Sequence, residues 1–306
     1  MANGIVPRLS VKVVNRTFKT RYRLAKLTRK SKTFNKIVVK AAFDGDDMVV
    51  LPKDGVVRRT IETNIGIEGA DEATVLPSDV VKDVMSKTED IFIMDFCLCR
   101  QSNQCHDFPI DVGCVFLGNG IHRIPEKYGH VATYEEAAAH IDRCGSLGLV
   151  HIIGRNKLDR LWLNTGKGND LITICNCCPC CCLWNMVREI SDEISSTFRR
   201  MESVEVSVDA DRCTGCGICT ETCFTRAMSV KEGRCDIDQS ACRGCGRCVD
   251  MCPVGALSLS FDPAVTDAEV ERIASKFKSL KPEARGTSPV YRGKAVSGRE
   301  APPWNT

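Results

Sequence analysis

Twenty cysteines among 306 residues are the side chains best suited to chemistry in this sequence. Eight of them form two matching runs, Cys213-x2-Cys216-x2-Cys219-x3-Cys223 and Cys242-x2-Cys245-x2-Cys248-x3-Cys252-Pro253, displaced by 29 residues. Three thiolates from one tight loop can face three corners of a metal–sulfur cubane. Glycines at 215, 217, 244 and 246 let the backbone fold closely around such a group and aim its N–H groups at sulfur. Zinc favours separated Cys-x2-Cys pairs, so the four-cysteine runs point to iron–sulfur chemistry. Each run is followed by a similar segment, Ala-Met-Ser-Val at 227–230 and Ala-Leu-Ser-Leu at 256–259, which marks an internal repeat. Cys235 lies outside both runs and reads as a buried, inert thiol.

Eleven further cysteines precede these runs. Cys97-x-Cys99-Arg100 is followed by Cys105, Cys114 and Cys144, and then by Cys175-Asn176-Cys177-Cys178-Pro179-Cys180-Cys181-Cys182. Adjacent side chains point in different directions, so the six cysteines of 175–182 cannot all ligate one ion. A subset binds metal and the rest pack or react. Cys97, Cys99, Cys105 and Cys114 form a candidate four-thiolate site for zinc or a third iron–sulfur cluster. Arg100 is either a hydrogen-bond donor to cluster sulfur or half of a surface ion pair. His106 is a candidate replacement for one thiolate, although a lone histidine is more often no ligand.

The elements that must position these residues are short. Local pattern predicts a helix over about Val14–Ala42, with Leu24, Leu27, Phe34, Ile37 and Val38 along one face. Met48–Leu51 and Val56–Ile65 read as a hairpin around Pro52-Lys53-Asp54-Gly55. Ser78 caps a helix over Asp79–Ser86, and Ile91–Phe96 reads as a buried strand leading into the first cysteines. Thr133 and Glu136 form a capping box for a helix to about Cys144, with Gly145 as its terminator. Leu149–Ile153 reads as a strand. Leu158–Leu163 and Leu171–Ile174 read as a hairpin around the glycine-rich 164–170 turn, which lacks the spacing of a phosphate loop. Leu183–Phe198 and Asp267–Leu280 read as helices, and the tail from Lys281 as disordered.

Residues 203–261 resemble two-cluster bacterial-type ferredoxins over their full length. In that family the fourth cysteine of each run ligates the other run's cluster. The resemblance implies that Cys213, Cys216, Cys219 and Cys252 hold one [4Fe–4S] cluster, and Cys242, Cys245, Cys248 and Cys223 the other. The sequence departs from the pattern at Phe224, where the family usually has proline. Residues 97–118 and 149–184 resemble a cysteine-rich module found upstream of ferredoxin domains in anaerobe iron–sulfur proteins. The residues that carry this are Cys-Leu-Cys-Arg, Cys114 to Gly118, Gly148-Leu-Val-His-Ile-Ile and the 175–182 run. This second resemblance implies a redox setting rather than a particular reaction.

The expected fold class is α+β, in four parts. They are a flexible basic arm at 1–45, a cysteine-rich α+β domain at 46–200, a ferredoxin domain at 201–262, and a helix with a loose tail at 263–306. Residues 1–40 contain twelve Lys/Arg and no Asp/Glu, whereas 203–261 contain six basic and eight acidic residues. The arm suits an acidic redox partner or an anionic membrane surface. Its sparse aromatics argue against nucleic acid. No long apolar run or leader-like segment appears, so the expectation is a soluble, cytoplasmic, oxygen-sensitive protein. No hydrolytic triad, carboxylate pair or dinucleotide loop stands out, and whether the chain is an enzyme stays open. The leading reading is single-electron transfer through two [4Fe–4S] clusters. One alternative is a reductase or activase with a catalytic thiol or open-iron site in 97–182. The other is a regulatory or nucleic-acid-binding iron–sulfur protein using the basic arm.

Overall fold

The computed structural model describes residues 16, 18–65, 75–166 and 170–277, in a mixed α+β arrangement. The tail from Lys281 and the last turn expected for the final helix lie outside the described residues.

Seven strands form one sheet: β1 (Asp47–Val50), β2 (Ile91–Met94), β3 (Val115–Leu117), β4 (Gly129–Val131), β5 (Val150–Arg155), β6 (Ile172–Cys177) and β7 (Phe198–Arg200). Their order is β4-β2-β3-β6-β5-β1-β7, and every pairing is antiparallel except β1 with β7. Side chains alternate between faces along a strand, which sorts this sequence cleanly. Ile91, Ile93, Val115, Leu117, Ile153, Ile172 and Ile174 enter one apolar cluster under the helices Pro77–Ser86 and Tyr134–Ser146. Cys175 and Cys177, two apart on β6, face the other side beside Val150 and Ile152 of β5. Each fully buried aliphatic side chain contributes about 1.5–3 kcal/mol, so the sheet is a stiff support for the thiols it carries.

Several local expectations meet the structure directly. Thr133 accepts a hydrogen bond from the Glu136 N–H at 3.2 Å, and the helix it caps runs Tyr134–Ser146. Two expected hairpins are different. Val56–Ile65 belongs to a helix, Asp54–Ile65, in which Val56 and Val57 are buried and Gly55 is solvent-facing. Leu158–Leu163 belongs to the helix Lys157–Leu163, capped by the Asn156 side chain on Leu158 N–H at 2.9 Å. Its strand partner is absent because β6 pairs instead with β3 and β5. Leu183–Phe198 is a 3₁₀ turn (Leu183–Arg188), a short helix (Asp192–Ser195) and β7 rather than one helix.

The basic stretch is also ordered between Phe18 and Phe43, as the helices Arg21–Lys30 and Lys32–Val38 and a π turn, Val39–Phe43. Arg29 Nε donates to Ile190 O at 2.5 Å, Asn35 bonds Ser191 and Glu193, and Ala25 and Phe43 enter the second apolar cluster. The buried side is therefore Ala25, Thr28 and Asn35. Leu24, Leu27 and Ile37 face outward.

The C-terminal unit contains two two-stranded ladders. β8 (Glu205–Val208) pairs with β11 (Leu257–Ser260), and β9 (Met228–Lys231) with β10 (Arg234–Ile237). The short helices Ile218–Thr222 and Arg247–Asp250 follow left-handed Gly217 and Gly246. Val206, Leu257 and Leu259 join the first apolar cluster with Val270, Ile273 and Ala274 of the helix Thr266–Ala274. The two units thus share a continuous core.

Candidate metal centre

All twenty cysteines are unbridged. Those of the C-terminal unit sit where the two runs fold back on each other. Cys213, Cys216, Cys219 and Cys252 line one hollow with Cys235 and Pro253. Cys223, Cys242, Cys245 and Cys248 form the other set. Burial raises the Cys248 thiol, and the neighbouring Cys245, Cys223 and Cys242 raise it further. Backbone N–H groups point at these sulfurs: Cys235 to Cys213 at 3.3 Å, Ala227 to Cys223 at 3.3 Å, Gly244 to Cys242 at 3.4 Å and Ala256 to Cys252 at 3.2 Å. N–H bonds from Cys235 and Gly215 hold the Cys213 thiol below its ordinary range, which favours the thiolate a metal needs. Gly215 has φ +65°, and a Cβ there would run into the Gly233 backbone 2.2 Å away. The donors, their number and the amides facing them fit two cubane clusters.

Cys235 is buried on β10, with its Sγ 3.6 Å from Cys219 Sγ and its thiol pushed up to about 12, mainly by burial. That is the environment of an unreactive thiol. Phe224, in the place of the usual proline, is 5% exposed and packs into the second apolar cluster with Cys175, Cys177 and Cys182. The departure therefore anchors the C-terminal unit to the cysteine-rich one.

Arg247 makes the same connection with polar contacts. It lies between Cys245 and Cys248 and is only 6% exposed. Its guanidinium donates to Cys177 O at 3.1 Å, Cys178 O at 3.0 Å and Asn185 Oδ1 at 3.2 Å, and lies 5.4 Å from the Phe224 ring centroid. The Lys53 N–H donates to Cys245 O at 3.1 Å, and the Asp250 carboxylate pairs with Lys53 and Arg59. Nothing in the spacing of the runs signals these contacts; a charged residue inside a cluster-binding loop is the one available hint.

The early cysteines separate into two groups. The Sγ atoms of Cys105, Cys178, Cys180 and Cys181 all lie within 4.8 Å of one another. Pro179 turns the chain after β6, which brings Cys178, Cys180 and Cys181 round to Cys105. Cys180 is exposed, and its Sγ is 3.6 Å from that of Cys105. The four sulfurs are spaced for one tetrahedral metal ion such as zinc, and a [4Fe–4S] cluster would require them to spread apart. Cys97, Cys99 and Cys114 go elsewhere, with Cys175, Cys177 and Cys182, so the expected set of Cys97, Cys99, Cys105 and Cys114 is not brought together. The end of β6 at Cys177 and the turn at Pro179 separate the 175–182 run, and sequence spacing alone could not show which members would face Cys105. His106 is exposed and outside the four-thiol group, and Cys144 is a fully buried thiol raised by burial.

Arg100 is not at the surface. Among the described residues it is the largest fully buried side chain, and it donates to Asn176 O at 3.0 Å and to Val112 O. It also donates to the Cys178 thiol. The hydrogen bond from Cys180, followed by backbone and Arg100 contacts, pulls the Cys178 thiol down to about 5. Cys97 is pulled down to about 7, first by its bond from Cys99 and then by Arg100.

Comparison with known families agrees with the C-terminal geometry. A 4Fe-4S binding domain matches residues 206–229 and 236–258. The chain is thus an iron–sulfur protein with a 4Fe-4S binding domain at its C-terminal end. A search of curated proteins found no match to the chain. Among the described residues no helix is long and apolar enough to cross a membrane.

Proposed function

We propose that this protein transfers single electrons between an external protein partner and a metal–thiolate site in its cysteine-rich unit. On this reading Cys213, Cys216, Cys219 and Cys252 hold one [4Fe–4S] cluster, and Cys242, Cys245, Cys248 and Cys223 the other, in two pseudo-symmetric halves. Bound clusters would supply one-electron reduction and oxidation at potentials set by burial and hydrogen bonding to sulfur. The chain's own residues do the rest. Backbone amides of Gly215, Cys235 and Gly244 stabilise negative charge on sulfur. Cys105, Cys178, Cys180 and Cys181 hold a third cluster.

The observation that carries the reading is the Arg247 contact. It ties the Cys245–Cys248 loop to the backbone of Cys177 and Cys178 through a buried cation. Cys245 itself packs against the apolar cluster containing Cys175, Cys177 and Cys182. An ordinary domain contact needs no such convergence of cysteine segments. Lys19, Arg23, Lys26, Lys30, Lys32, Lys36 and Lys40 are exposed and form a positive face suited to an acidic redox partner.

The test is rapid-freeze EPR after anaerobic mixing with a reduced low-potential donor protein. The reading expects signals from the C-terminal clusters first and a further paramagnetic signal later, delayed when Arg247 is replaced by methionine. A cysteine-rich unit that stays oxidised while the C-terminal unit is fully reduced would count against transfer between them.

A further inference from the structure

Six thiols remain after the ferredoxin cysteines and the four-thiol group are set aside with Cys144 and Cys235, and they converge from four segments. Cys97 and Cys99 open the helix Leu98–Asn103, Cys114 leads into β3, Cys175 and Cys177 lie on β6, and Cys182 opens the turn Leu183–Arg188. Cys114 continues the β3–β6 register, which pairs Val115 with Ile174, and its thiol meets that of Cys175. The Cys175 thiol meets Cys177, and Cys182 Sγ lies 2.9 Å from Cys177 Sγ. Cys99 meets Cys97 and faces Cys182 and Cys114. The nest is therefore continuous.

Two features separate it from thiols used as small apolar filler. The first is polar: the Leu183 N–H points at Cys99 Sγ and the Trp184 N–H at Cys182 Sγ, both at 3.4 Å. This is the amide-to-sulfur arrangement seen at the ferredoxin cysteines. The second is charge. Arg100 is wholly buried, it donates to backbone carbonyls and to the Cys178 thiol, and no carboxylate pairs with it among the described residues. It lies in the field of Cys97, Cys178 and Cys114. A buried cation needs an anion close by; the thiols of Cys97, Cys114 and Cys178 are its nearest candidates, with the Asp111 carboxylate also in its field.

We propose that Cys97, Cys99, Cys114, Cys175, Cys177 and Cys182 form a separate binding site for a polynuclear iron–sulfur cluster. Six donors exceed the four that a single tetrahedral zinc ion or a single [4Fe–4S] cluster takes, so on this proposal four of the six ligate and two pack beside the cluster. Six thiolates on one divalent ion would also leave a large negative charge facing a single arginine, and several irons reduce that charge. The nest shares its apolar surroundings with Cys245 and Phe224, so it adjoins the C-terminal unit.

Iron and acid-labile sulfide measured on the anaerobically purified double variant Cys105→Ala/Cys180→Ala test this directly. Both positions lie outside the buried core, so the fold should survive, and the four-thiol group is lost. Loaded C-terminal clusters plus a loaded nest give about 12 irons per chain. Introducing Cys177→Ser and Cys182→Ser into that background should bring the content down to about 8. About 8 irons in the double variant itself, with Cys177 and Cys182 recovered as free thiols or joined in a disulfide, would overturn the proposal. About 4 irons would mean that one cluster is loaded, and the state of Cys177 and Cys182 then decides: protected thiols place it in the nest, free thiols overturn the proposal. If the serine substitutions prevent folding, alkylation of the double variant with mass-spectrometric readout still decides. The six thiols should be protected until iron is chelated away, and prompt labelling of all six would refute the site.

Discussion

Replacing Arg247 with methionine should loosen the joint between the two units without touching a cluster ligand. The guanidinium makes three hydrogen bonds across the joint, to Cys177 O, Cys178 O and Asn185 Oδ1, at 3.0–3.2 Å and almost out of solvent. Each such bond contributes about 1 kcal/mol net, and removing the donor leaves a buried acceptor unpaired. Methionine preserves most of the stem packing but loses the cation's contact with Phe224, about 0.5–1 kcal/mol. Arg247 Nε has no partner, so its removal returns part of the loss. The expected net cost is about 2–4 kcal/mol. Anaerobic urea unfolding followed by tryptophan fluorescence reads it, since Trp184 lies in the cluster that the joint covers. Iron content should be unchanged. Arg247→Lys should recover only part of the loss, because an ammonium cannot reproduce the three-way fork. A methionine variant within about 0.5 kcal/mol of the parent would refute the claim that this contact holds the units together.

Three other outcomes follow from the same geometry. Cys216→Ala should lose about four irons and leave the seven-stranded domain folded by circular dichroism; unchanged iron would sink the ligand assignment. Phe224→Ala should cost about 3–4 kcal/mol in unfolding free energy, because a buried ring is removed from the joint; a cost near zero would show that the position serves the local turn only. Asp46 is pushed up to about 7, chiefly by burial, with the Lys157 N–H bond opposing it. A raised folded pKa favours the neutral acid, so this group's contribution is fullest below about pH 4 and falls as pH rises through about 7. Asp46→Asn keeps the acceptor oxygen and removes the charge. It should match the parent near pH 4 and exceed it by up to about 4 kcal/mol at pH 8, and parallel stability–pH curves would contradict the burial argument.

The C-terminal unit was legible because its chemistry is local. A run such as Cys213 to Cys223 contains its own loop, glycines and donors, so spacing alone defines a binding loop. The cysteine-rich unit was less legible because its sites depend on sheet topology. β6 pairs with β3 and β5, and only that register sets Cys175 and Cys177 beside Cys114 while Pro179 turns Cys178, Cys180 and Cys181 towards Cys105. Val56–Ile65 and Leu158–Leu163 carry β-type or short apolar patterns, yet capping and packing make them helical. Tertiary contacts there outweigh propensity. The basic stretch misled in a similar way. Its exposed Leu24, Leu27 and Ile37 resemble a core face, but Ala25, Thr28 and Asn35 make the contacts. Arg100 shows the opposite limit: its position beside Cys99 is plain in the sequence, whereas its complete burial is a product of the fold.

The most direct measurement is iron, acid-labile sulfide and zinc per chain in protein purified without oxygen. At least about 12 irons with matching sulfide and no stoichiometric zinc would accord with two C-terminal clusters continued by iron–sulfur sites in the cysteine-rich unit. About eight irons or fewer, or zinc in place of the additional iron, would contradict an iron–sulfur path through both units.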